Sequence, residues 1–210
     1  MRDIPMFTTE YGIASLTLKE IPSRQMAYIS ILASQQPKEL LEACIGFCRA
    51  CGAEKVYAQN HEYLECYPIH TTVVKMQGIA RVDETKVDNL WPVTEETVSQ
   101  WREFMNERLK DVDGAETLDR QSEREILISG AYFVHKDGQM LGAGWLKHGK
   151  LLLVAAKPGM GERVMHTLMS LQPDEPIELE VANTNIPAVR LYQKLGFLIT
   201  EELIKWYKVF

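Results

Sequence analysis

The chain contains no run of Lys or Arg, no apolar stretch of the roughly 20 residues that a bilayer span needs, and no G-x-S-x-G, H-E-x-x-H or repeated C-x2-C. Each absence removes a class of function. Without a basic cluster, and with a formal charge of −6, neither nucleic acid nor an anionic membrane is an expected partner, because both are held by neutralising phosphates. Without a serine elbow or a zinc spacing, serine hydrolysis and zinc chemistry have no support. The start, Met1-Arg-Asp-Ile-Pro5, has neither the basic n-region nor the apolar h-region of a signal peptide. The expected compartment is therefore the cytoplasm, where thiols stay reduced. An anionic small ligand remains open, since backbone amides hold phosphate without a basic net charge.

What is present is an ordinary globular composition. The 210 residues are 46% apolar and 25% charged, enough to bury a core in one large domain or two small ones. Cys44, Cys48 and Cys51 are spaced C-x3-C-x2-C, as in radical SAM proteins that hold an iron–sulfur cluster. Here they lie between Pro37 and Gly52 on a helical period with Leu40, Leu41 and Phe47, so they read as core thiols. His61, Cys66 and His70 lack a fourth ligand at a zinc-like spacing. No metal is expected.

The first stretch reads as strands at 14–20 and 26–32 around a turn at Ile21–Arg24, then the cysteine helix, then strands at 54–59 and 69–76. The polar residues between Gly78 and Leu90 mark a boundary, giving regions 1–85 and 86–210. The second region opens with Leu90–Val93 and a helix capped by Thr94, with Val98, Trp101, Met105 and Leu109 on one face. Apolar runs at 126–134, 140–146 and 151–156 are separated by hairpin chemistry at Lys136-Asp-Gly138 and His148-Gly-Lys150. A helix (162–171), a strand (177–181), a helix (187–195) and terminal strands follow. The fold class is α/β, with a mixed, mostly antiparallel sheet flanked by helices.

Two features go beyond fold class. Lys157-Pro-Gly-Met-Gly-Glu162 joins a strand to a helix through two glycines, so a ligand could approach the backbone and the positive helix end. Further on, a strand ending at Val181 runs into Asn183 and Asn185, and Pro187 opens a helix that Gly196 closes. Ala188, Leu191, Tyr192 and Leu195 share a face of that helix; by spacing alone Tyr192 is a core residue.

Asn185-x2-Ala188-x3-Tyr192-x3-Gly196-Phe197 resembles the last conserved motif of the GCN5-related N-acetyltransferases (GNAT). The element order over about 120 residues, from Leu90 to Phe210, is similar to theirs. The resemblance implies direct transfer of an acetyl group from acetyl-CoA, the cosubstrate, to a primary amine on a small-molecule or peptide acceptor. It places the pantetheine near Val154 at the end of the strand closing at Ala156. The pyrophosphate falls on Lys157, Gly159, Met160, Gly161 and Glu162, and Asn185 contacts the coenzyme. Tyr192 becomes the acid for the leaving thiolate, and Glu178 or Glu180 the base. A homodimer is a family expectation. One departure is Ala156, where the family loop carries Gln or Arg; it motivates a runner-up, a catalytically silent CoA-binding or interaction module. The first region repeats the strand–helix–strand order without loop glycines, so it reads as a degenerate GNAT-like half-repeat. Cys51-Gly-Ala-Glu-Lys-Val-Tyr57 is similar to a helix-to-strand junction of that family.

Overall fold

A computed structural model describes residues 3–128 and 130–210; Met1 and Arg2, part of the N-terminal reading, lie outside the described residues. The chain forms two compact units, residues 1–73 with 202–210, and residues 74–201.

The first unit contains Ile4–Thr9 (β1), Gly12–Thr17 (β2), Ile21–Arg24 (α1), Met26–Ser34 (β3), Pro37–Ala50 (α2), Lys55–Gln59 (β4) and the start of Ile69–Ile79 (β5). Its strands are ordered β1-β2-β3-β4. Ala14 and Leu16, Ala27, Ile29 and Ile31, and Val56 and Ala58 stand at every second position of their strands and are buried, so they form one apolar sheet face. Helix α2 covers that face with Leu40, Leu41, Cys44 and Cys48. Burial pushes the Cys44 thiol up to about 11 and the Cys48 thiol up to about 12, which makes both inert apolar filling. Among the described residues no group of three or more His, Cys, Asp or Glu is placed to hold a metal ion. No helix among them is long and apolar enough to cross a membrane.

The second unit holds the rest of β5, Asn89–Pro92 (β6), Val98–Leu109 (α3), Ser122–Ile128 (α4), Ala131–Lys136 (β7), Gln139–Lys147 (β8) and Lys150–Ala156 (β9). Gly161–Met169 (α5), Pro176–Ala182 (β10), Ile186–Lys194 (α6) and Leu198–Lys208 (β11) complete the chain, with β11 belonging to the first unit from residue 202 on. The strand order is β5-β10-β9-β8-β7-β6, with β9 and β10 parallel and β6 to β9 an antiparallel meander. Both two-residue hairpin loops, Asp137-Gly138 and His148-Gly149, have positive φ throughout, as tight hairpins between twisted strands require. One apolar layer joins Leu151, Leu179 and Val181 to Val164 and Leu168 of α5. The other joins Phe133, Ala143, Trp145 and Ala155 to Trp101 and Met105 of α3.

Two local expectations need correction. The helix begins at Val98 after Thr97, not after Thr94. Thr94 and Thr97 instead close a turn on each other, Thr97 N–H donating to Thr94 O at 3.0 Å and Thr94 N–H to Thr97 Oγ1 at 3.0 Å. The run 126–134 is not one strand, because Ile126 is buried inside the short helix α4 and the strand starts at Ala131. Helix α4 packs on α3 and is tied to it by Arg102 Nε donating to Glu123 at 2.8 Å.

The polar stretch after Gly78 straps across α5. Arg163 binds both Asp88 oxygens, at 2.8 and 2.7 Å, and Asp88 N–H donates to Thr167 Oγ1 at 3.0 Å. Asp83 N–H donates to Nδ1 of the buried His166 at 3.2 Å. That acceptor role requires the neutral ring, and burial holds the His166 pKa below its ordinary 6.5. The unfolded chain therefore binds a proton that the folded one resists, so stability is full above about pH 6.5 and falls as the solution is acidified below it. Melting scans at pH 7.5 and 5.5 should show a lower melting temperature at the acid pH. His166→Gln should flatten that dependence; an unchanged slope in the variant would refute His166 as its source.

Candidate functional site

Strands β9 and β10 pair only at Lys150–Glu178 and Leu151–Leu179, with Glu178 N–H also donating to Gly149 O at 2.8 Å. Beyond Leu151 the two strands part. The cause lies on the other side of β9. Against β8, Leu153 faces Trp145 and Leu151 faces Leu146, so Leu152 is an extra residue, a β-bulge that bends the strand. From the bulge to Ala156, β9 stays bonded to β8 while its edge toward β10 is open. Val154 and Ala156 are half-buried there, Val154 opposite Gly144 and Ala156 opposite Gly142.

The parted strand leads into the glycine loop. Lys157 N–H donates to Leu141 O at 2.8 Å and Met160 N–H to Lys157 O at 3.0 Å, which closes the turn. Gly159 has φ 79, and a side chain there would meet nothing within 4 Å, so the loop surface is open. Helix α5 starts at Gly161 with Met160 as N-cap and no side-chain cap bond. The N–H groups of Gly161, Glu162 and Arg163 thus have no intrahelical acceptor and point out of the helix end. At Gly161 a Cβ would lie 3.0 Å from Leu191 Cδ2, so a side chain there would need that leucine of α6 to give by a few tenths of an ångström.

Glu162, in the first turn, is bound from two sides. Lys86 Nζ donates to Oε1 at 2.7 Å and Lys194 Nζ to Oε2, and the two cations hold the carboxylate down at about 2. Neither lysine was evident from the sequence, because they stand on different elements far along the chain. Together they bring positive charge to the loop in which Ala156 replaces the family's Gln or Arg.

Asn185 is the N-cap of α6, Oδ1 accepting from Ala188 N–H at 3.4 Å. Two turns on, Tyr192 is buried at 7% exposure, its ring 6.1 Å from that of Phe197. Burial pushes its phenol up to about 12, so it keeps its proton throughout the neutral range.

Glu178 and Glu180 share one face of β10, and the structure separates them. Glu178 accepts from Lys150 Nζ at 2.7 Å and from Gln77 Nε2 at 3.4 Å, and these donors hold its carboxyl below the usual range. Glu180 is exposed and makes no ion pair among the described residues. Both line a cavity of about 150 Å³ together with Lys75, Lys150, Leu151, Leu152 and Leu179, beside the bulge where the strands part.

The first unit has the same strand–helix–strand order in β3, α2 and β4, but no opening. There the parallel strands pair without a break from Met26–Lys55 to Ser30–Gln59. Beyond that, Gln59 Nε2 donates to Ser30 Oγ and Asn60 Nδ2 to Ile31 O, both at 2.8 Å, clipping the strands together.

No family sequence profile matches the chain, and no curated protein matches it in sequence. Solved structures do match it in three dimensions. A GCN5-related N-acetyltransferase from Sphaerobacter thermophilus aligns over 93% of this chain and 75% of its own, with TM-score 0.53 and 11% identity. A proposed acetyltransferase from Pyrococcus horikoshii aligns over 93% and 68%, with TM-score 0.58 and 12% identity. A protein of unknown function from Staphylococcus epidermidis aligns over 96% and 91%, with TM-score 0.55 and 8% identity. The fold of this chain is that of the GCN5-related N-acetyltransferases.

Proposed function

We propose that the second unit is an N-acetyltransferase that moves an acetyl group from acetyl-CoA to a primary amine. The observation that carries this reading is the parting of β9 and β10 at the Leu152 bulge, directly ahead of an uncapped helix start. The open edge of β9 offers backbone groups to the amide-bearing pantetheine, and the free N–H groups of α5 offer an anion site to the pyrophosphate. Acetyl-CoA, when bound, supplies the activated thioester. Glu180, free of ion pairs, takes a proton from the acceptor ammonium. The amine nitrogen then forms its bond to the acyl carbon as the carbon–sulfur bond breaks; Tyr192 gives its proton to the departing sulfur and regains one from the product nitrogen, and Glu180 releases its proton to solvent. Glu178 is committed to Lys150 and does not serve as the base. The first unit, its parallel strands clipped shut, binds no coenzyme.

Calorimetric titration of acetyl-CoA, followed by thiol release with an amine panel, tests this. One site per chain and amine-dependent release are expected, with Glu180→Gln lowering release about 10²-fold. No binding at millimolar coenzyme would overturn the reading. Binding without release for any amine would leave the silent CoA-binding module in its place.

A further inference from the structure

The cavity beside the bulge carries two cations and two anions in a space of about 150 Å³. Its charges are arranged rather than merely present. Lys75 binds Glu201 at 3.2 Å and Lys150 binds Glu178 at 2.7 Å, so each recorded pair uses one donor of an ammonium that has three. Glu180, on the same wall, is the carboxylate that no cation holds at ion-pair distance among the described residues. Leu151, Leu152 and Leu179 supply the apolar remainder.

We infer that this cavity receives a small free amino acid, its ammonium at Glu180 and its carboxylate at the spare donors of Lys75 and Lys150. The inference rests on the acetyltransferase reading only in naming this amino acid as the acceptor; the binding itself follows from the cavity. A polyamine would set a second ammonium against two lysines, which costs affinity. A peptide N-terminus would bring an amide where the lysines call for an anion. An aliphatic side chain of modest size suits the leucine wall.

The test uses L-leucine, L-leucinamide, isopentylamine and spermidine, each titrated calorimetrically into the full chain, with and without CoA. L-leucine should bind about tenfold or more tightly than leucinamide and isopentylamine, because the lost carboxylate forfeits charge-assisted hydrogen bonds. Lys150→Met and Lys75→Met should each weaken L-leucine about tenfold while leaving leucinamide unchanged. Lys150 is 60% exposed on its side chain, so its replacement leaves the fold intact, and a melting scan checks this. Equal or tighter binding of leucinamide, isopentylamine or spermidine would overturn the proposal, as would no amino-acid binding. The two readings fail separately. If acetyl-CoA binds and simple amines release thiol while amino acids do not bind, only this inference falls. If L-leucine binds with the stated lysine dependence but no coenzyme does, the acetyltransferase reading falls and the cavity assignment stands.

Discussion

Replacing Tyr192 by phenylalanine is expected to lower turnover about 10²-fold or more while leaving acetyl-CoA affinity nearly unchanged. The variant removes one hydroxyl from a buried ring and keeps its packing beside Phe197. Coenzyme affinity is assigned, in the reading proposed above, to the backbone of β9 and of the α5 start, which Tyr192 does not supply. The effect therefore belongs in kcat and not in the binding constant. The pH profile gives a second readout. Because burial places the phenol at about 12, Tyr192 stays protonated across the working range and adds no alkaline limb below it. A Tyr192→Phe protein with wild-type turnover would remove the tyrosine from the mechanism, and loss of coenzyme affinity in it would assign Tyr192 a structural role.

How far the sequence carries depends on whether a feature is local. The hairpin turns, the apolar stripe of α5 and the capped start of α6 are written in residues a few positions apart, and those elements are where the periodicity puts them. The cysteine helix was also legible, since Cys44 and Cys48 repeat with Leu40 and Leu41 on one buried face. Strand β1 and helix α4 were missed. In β1 only Ile4, Phe7 and Thr9 are partly covered and none is buried, so there is no alternation to read, and α4 is a short, charged opening to an apolar run. The bulge left no trace at all. Leu151-Leu-Leu-Val-Ala-Ala156 is apolar at every position, so an inserted residue shifts no visible alternation. The choice between Glu178 and Glu180 is likewise invisible in a strand where both stand on one face. The two differ in their partners, Lys150 and Gln77, which reach Glu178 from neighbouring strands. Lys86 and Lys194 meet at Glu162 only because the strap and α6 both end at the start of α5.

Gly142→Ala should be the most damaging single methyl in the second unit, and Gly144→Ala beside it a mild one. Helix α5 lies directly on β8 because both positions lack side chains. At Gly142 an added Cβ would stand 2.5 Å from Ala155 O, 2.7 Å from Val164 Cγ2 and 3.0 Å from Ala156 Cα. Two of those atoms are backbone of β9 and cannot rotate away. At Gly144 the nearest atom, at 2.3 Å, is Leu168 Cδ1, the end of a flexible side chain that a new rotamer removes. Overpacking of the first kind costs about 3 kcal/mol and of the second about 1 kcal/mol. Melting temperatures should therefore fall by roughly 10 °C and 3 °C respectively. The functional consequence differs as well. The backbone displaced by Gly142→Ala is Ala155–Ala156, the open edge assigned to pantetheine, so acetyl-CoA affinity should fall with stability in that variant and persist in Gly144→Ala. Gly142→Ala melting within 2 °C of the parent would show that β9 is free to move at this point. In that case the close approach of Gly142 would add nothing to the bulge in setting the course of β9.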